Sequence, residues 1–221
     1  MTPVHLEVAS RRTFAAARDW PGWCRSGKTE QLALAAMADY LPRYAVVAAA
    51  AGQDVPADAA DTLDVVERLT GGMTTEYGAP GAVAAGDGDP LTAAQAAREA
   101  ALVAAAWTVL ERVVAGAPAG LRKGPRGGGR DRDQVVGHVL AAEAAYARKI
   151  GVRLPAPVVG DVASVEALRG AIQGVLGQPS DGLPWGAKGW PPRYAARRIA
   201  WHVLDHAWEI EDKSEPAPGA P

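Results

Sequence analysis

Four histidines occur in the 221 residues, and three of them fall in segments that read as helices: His138 in one, His202 and His206 in another. His202 and His206 are spaced i, i+4. At about 100° per residue their imidazoles lie about 40° apart, one turn above the other, so both can reach one ion. The pair shares its face with Ile199, Val203 and Ile210, the stripe that a helical bundle buries. His138 occupies the matching stripe of its own helix with Val135, Val139 and Ala142, and Ala142 and Ala145 are small enough to leave space beside its ring. Neutral imidazole nitrogen is a common ligand for Zn, Ni, Cu and Fe. Three such ligands leave a coordination position open, the arrangement of a catalytic metal rather than a structural one. The competing explanation is that inward histidines are satisfied core residues. It is weakened by number, since burying several imidazoles without partners costs about 1–3 kcal/mol each.

Two further groups could serve such a centre. Glu209 lies one turn beyond His206 and about 20° from the angle of His202, so it can accept a hydrogen bond from a ligand imidazole; a solvated glutamate in the last turns of a helix is the alternative. Arg122, Lys123, Arg126 and Arg130 are interleaved with glycine ahead of a helix amino terminus, where a phosphate or carboxylate could be received. A solvated connection explains the same residues without a ligand.

The elements that must position these groups announce themselves by their start and stop signals. Thr92 with Gln95, and Asp131 with Gln134, have the spacing of capping boxes and open two helices. Gly116 and Pro118 close the first; Gly151 closes the second. Ser164 with Glu166 begins a third helix that ends near Gly177. Pro191 and Pro192 suit the first turn of a fourth, over residues 193–213. Four helices of this length predict an up-down bundle. The loop 181–191, with Trp185 and Trp190, is long enough to lie over the bundle mouth. Trp201 and Trp208 read as packing anchors against the amino-terminal part of the chain.

That amino-terminal part alternates as half-buried strands do, with Val4, Leu6 and Val8 on one side and His5, Glu7 and Ala9 on the other. Residues 12–17 continue as a second strand and residues 19–27 carry turn chemistry. Thr29 caps a helix over residues 30–51, bent at Pro42, and residues 62–69 read as another strand. The expected organisation is a small α+β domain at 1–80, a linker at 81–90, a mostly α bundle at 91–213 and a disordered tail at 214–221.

Composition supports that division. Of the 48% hydrophobic residues, 48 are alanines and 59 are larger, which favours close helix-on-helix packing over a broad Val/Ile sheet. One cysteine, Cys24, excludes a disulfide framework and a Cys-based zinc finger. A formal charge of −2 gives no electrostatic case for binding nucleic acid or an anionic membrane. The sequence shows neither a transmembrane span nor a secretory leader, so a cytoplasmic protein is expected.

The segment 133–143, DQVVGHVLAAE, and the segment 201–208, WHVLDHAW, resemble the DinB-like four-helix-bundle metalloproteins in helix order and separation. That family includes thiol-dependent S-transferases and mycothiol-dependent maleylpyruvate isomerases. The resemblance covers roughly residues 91–213 and implies that His138, His202 and His206 bind a divalent metal such as Zn, Ni or Fe with open positions. It also implies a low-molecular-weight thiol as co-reactant, with a metal-held thiolate or hydroxide attacking a small electrophilic substrate. Gly137 beside His138 departs from the pattern. Over about 50 residues, the amino-terminal part resembles the HicB antitoxin fold, a partial double-stranded-RNA-binding arrangement. This implies a partner protein or a homodimer and supplies the alternative function, a non-catalytic, toxin–antitoxin-like binding protein.

Overall fold

The computed structural model describes residues 1–124 and 128–214. Arg126 and all but the first residue of the expected tail lie outside the described residues. Four strands, β1 Thr2–Val8, β2 Thr13–Ala17, β3 Cys24–Gly27 and β4 Leu63–Thr70, form one sheet in the order β3-β2-β1-β4. The β1/β2 and β2/β3 pairs are antiparallel, whereas β4 returns parallel to β1. The parallel return needs a crossover, supplied by α1 Glu30–Asp39 and α2 Leu41–Ala50. Thr29 Oγ1 accepts from Leu32 N at 3.2 Å and starts α1. The expected single helix is broken at Tyr40, where Pro42 sets the first turn of α2 and the two axes differ by 52°.

Two expectations for this sheet need correction. β3 lies in the segment whose residues predict a turn, because four residues are too few to show alternation. The alternation of β1 predicts a half-buried strand, yet His5 and Glu7 are 4% and 2% exposed. The reason is that the sheet is covered on both faces. Val4, Leu6, Ala15 and Ala17 meet Trp23, Met37 and Tyr44 in the main core, while Phe14, Ala16 and Cys24 meet Trp201. The Glu7 carboxylate accepts from Gly81 N and Ala82 N, and from Thr75 Oγ1. Burial raises the Cys24 thiol to about 12.

Residues 71–90 carry the short helix α3 Met73–Glu76 and a 3-10 turn at Ala85–Gly88. Within that turn Asp87 is buried against Arg197 at 2.5 Å. Gly182 approaches the same segment so closely that a Cβ there would stand 2.0 Å from the Gly88 carbonyl, and its φ of +86° suits only glycine.

Four longer helices follow: α4 Ala93–Gly116, α5 Arg132–Lys149, α6 Val162–Leu176 and α7 Pro192–Ser214. The Thr92 box is complete, with Thr92 N donating to Gln95 Oε1 at 2.9 Å and Gln95 N to Thr92 Oγ1 at 3.3 Å. At α5 only the Gln134 half forms, because the Asp131 carboxylate turns to Leu121 N and Lys123 Nζ. Asp161, rather than Ser164, caps α6 by accepting from Ser164 N at 3.2 Å.

Among these four helices the principal contacts are α4 with α7 and α6, and α5 with α7 and α6, and α4 also packs on α2. An up-down bundle would instead make each helix the neighbour of the one before it. The connections 117–131 and 177–191 are long enough to carry the chain across the group. One core cluster runs from the sheet through α1 and α2 into all four long helices. Among the described residues no single helix is long and apolar enough to cross a membrane; α1 and α2 pass such a test only as a bent pair.

Candidate metal centre

α7 is the element that decides the site, because it presents two different stripes. Tyr194, Arg197, Trp201, Asp205 and Trp208 face the amino-terminal region: Tyr194 Oη donates to Gly81 O, Trp201 meets Phe14 edge-on, Asp205 pairs with Arg25 and Trp208 meets Tyr40. Both tryptophans therefore anchor the sheet side, as their spacing predicts. Rotated by about 100° is the second stripe, Arg198, His202 and His206, with Glu209 following.

That second stripe faces α5. His138 meets both histidines, with ring centroids 5.1 Å from His202 and 4.9 Å from His206, while His202 and His206 are 4.6 Å apart. One ring nitrogen from each residue lies within 4.8 Å of the others. His202 is 6% and His206 9% exposed, and His138 is partly open to solvent. Thus the three side chains that sequence periodicity aimed inward do meet.

Nitrogen by nitrogen, the chemistry is specific. His206 Nδ1 lies 2.7 Å from Glu209 Oε2. The carboxylate can only accept there, so Nδ1 carries a proton and the ring's Nε2 is the atom turned to the cluster. Glu209 also pairs with Lys213. The hydrogen bond to His206, reinforced by Lys213, holds Glu209 at about 2 despite partial burial. His202 Nε2 and His138 Nε2 stand 3.3 Å apart. Two lone pairs do not face each other at that distance unless a proton or a cation lies between them. A shared proton satisfies two of the three rings, whereas one cation satisfies all three. The 3.3 Å separation is also the edge of a tetrahedron of nitrogens about 2.0–2.1 Å from a common centre.

Burial, helped by His206, Arg198 and His138, lowers His202 to about 2. Burial first, then His206 and Arg130, lowers His138 as well. Both rings are therefore uncharged at physiological pH, which fits a neutral N–H···N hydrogen bond or a cation between them. His202 Nδ1 is buried without a hydrogen-bond partner, so the outer-side support that Glu209 gives to His206 has no counterpart on His202 among the described residues.

Other expectations fare differently. Ala142 is partly buried but Ala145 is exposed. The residue beside His202 is instead Tyr146, at 5.5 Å between centroids. Tyr146 follows His138 by eight residues and Arg198 precedes His202 by four, so the same helical period could have found both. Trp190 packs on Tyr146 at 5.1 Å, and its backbone N–H donates to Lys149 O. The loop 181–191 therefore reaches the edge of the site through its second tryptophan. Gly137 stands close to the connection after α5, where an added Cβ would lie 3.4 Å from Val159.

The basic connection makes mostly internal contacts. Lys123 Nζ reaches Asp131 at 2.5 Å and Gly129 O at 3.2 Å, and Arg122 Nη2 donates to Asp212 O at 2.9 Å. Arg130 is exposed, and its charge is felt at His138 and His202. No family model, curated protein or solved structure matches the chain.

Proposed function

We propose that the protein binds one divalent metal ion, Zn, Ni or Fe, on His138, His202 and His206, and acts as a metal-dependent transferase or hydrolase on a small electrophilic molecule, with a thiol or water as nucleophile. The observation that carries this reading is the convergence of three imidazoles from two helices, one of them already oriented by a carboxylate. When bound, such an ion lowers the pKa of a water or thiol to near neutrality. The chain's own contribution is positional. Glu209 fixes the tautomer and plane of His206, burial keeps His202 uncharged, and the partial exposure of His138 leaves a path for a small molecule. The DinB-like resemblance supports the thiol as co-reactant.

The partner-binding alternative has less support. Edge strand β4 presents Asp64 and Arg68 on its exposed face, and charges on an edge discourage strand pairing with another chain.

Metal analysis of protein purified without chelators tests the proposal. One equivalent of divalent metal is expected in the wild type and none in His206→Ala. Glu209→Gln should retain the metal with about 10–100-fold lower affinity, the usual effect of losing a supporting carboxylate. A wild type that holds no stoichiometric metal at neutral pH ends the proposal.

A further inference from the structure

Three arginines on α7 are wholly or partly enclosed, and two of them have acid partners. Arg193 lies 2.6 Å from Glu99, and Arg197 lies 2.5 Å from Asp87. Arg198 has no carboxylate or carbonyl partner among the described residues, and its Nη1 is buried without an acceptor. Aromatic faces hold it instead: its guanidinium carbon is 4.6 Å from the ring centroid of Trp201 and 5.2 Å from that of Tyr146. Such stacking fixes the guanidinium plane while leaving its in-plane N–H donors unspent.

The position of this charge is equally informative. Arg198 precedes His202 by one turn on the same stripe of α7. The two rings that hold it also touch His202, Tyr146 at 5.5 Å and Trp201 at 6.0 Å. A partly exposed cation with free donors therefore stands beside the imidazole cluster, where a structural role would have supplied an acid, as it does for Arg193 and Arg197. A guanidinium in that state is matched by a carboxylate, which takes two parallel hydrogen bonds from it.

We propose that Arg198 anchors a carboxylate of the molecule that reacts at the three histidines, which makes the ligands of the site small organic acids. The inference rests on the metal reading given above. It selects among substrates by the short distance between the reacting atom and the acid group. Arg130, whose charge also reaches the cluster, lies on the connection ahead of α5 and not on the His202 stripe of α7, and serves as the control.

Cobalt(II)-loaded protein, titrated with 3-mercaptopropionate and with its uncharged amide, tests the anchor through the sulfur-to-cobalt charge-transfer band. Wild type should bind the acid about tenfold or more tightly than the amide. Arg198→Met should bring the two affinities together while the cobalt d–d bands stay unchanged, and Arg198→Lys should keep part of the preference. Arg130→Met should keep the ratio of the wild type. Equal binding of acid and amide by the wild type overturns the anchor without touching the metal site, and that measurement needs no variant to fold. A preference that survives in Arg198→Met also overturns it. Absence of cobalt bands in the wild type overturns the metal reading and the anchor together.

Discussion

His5 is the one histidine outside the cluster, and it shows what burial alone does to an imidazole in this chain. Burial, with Arg197 nearby, lowers it from the usual 6.5 to about 3. The folded state therefore favours the neutral ring, and the unfolded chain takes up the proton first as the solution is acidified. Its contribution to stability is complete above about pH 6.5 and is lost as pH falls from there towards 3, at about 1.4 kcal/mol per pH unit. Glu99 runs the other way: burial raises it to about 7, so its contribution is complete below 4.5 and is lost as pH rises through 7. Between pH 7 and pH 4.5 the two act in opposite directions, and comparison with His5→Gln isolates the His5 part in urea midpoints. His5→Gln should lose less stability between those values than the wild type, and an unchanged difference would show that His5 is not buried neutral. Side chains of this kind are only half legible in a sequence. The aim of His138, His202 and His206 follows from period alone, and so does the reach of Glu209. The burial of His5 does not, because its cover comes from α7 and the turn at Ala85–Gly88, far away in the chain.

Among the elements, α7 connects everything, and its two stripes can be tested apart. Trp208 is 2% exposed and lies against Tyr40 and Arg25, on the side opposed to the sheet region rather than to α5. Trp208→Ala should cost about 3–5 kcal/mol, as large-to-small changes in a core do. It should leave the metal stoichiometry of the surviving folded protein intact, because the imidazoles sit on the other stripe. Denaturant unfolding with metal analysis of the same samples checks both parts. Helix starts were the most legible feature of the sequence. Thr29 and Thr92 cap as their spacing requires, since an N-cap is a local device, whereas at α5 the contacts of Asp131 with Leu121 and Lys123 take away half of the expected box. What escaped was long-range arrangement. β3 is recognisable only through its pairing with β2, and the neighbours of α4 and α5 depend on how far the connection 117–131 carries the chain, which no periodicity encodes.

At the scale of the whole molecule, the described residues of sheet and helices share one core cluster. One apolar cluster includes Val4 and Leu6 of the sheet, Tyr44 of α2, Val103 of α4, Val139 of α5, Ile172 of α6 and Val203 of α7. The composition foretold small residues at helix contacts but not that sheet and helices would share a single interior, since hydrophobic patterning shows which face is buried and not against what. A core so shared should melt as one unit, with calorimetric and van't Hoff enthalpies equal. Cys24 supplies the means to watch this. Being the sole sulfhydryl and fully covered, it meets an alkylating reagent only when the sheet parts from α7. Its labelling rate under native conditions is thus a clock for rare openings. If ligand at the imidazoles slows that clock by the same factor as it raises global stability, sheet and helices come apart in a single event.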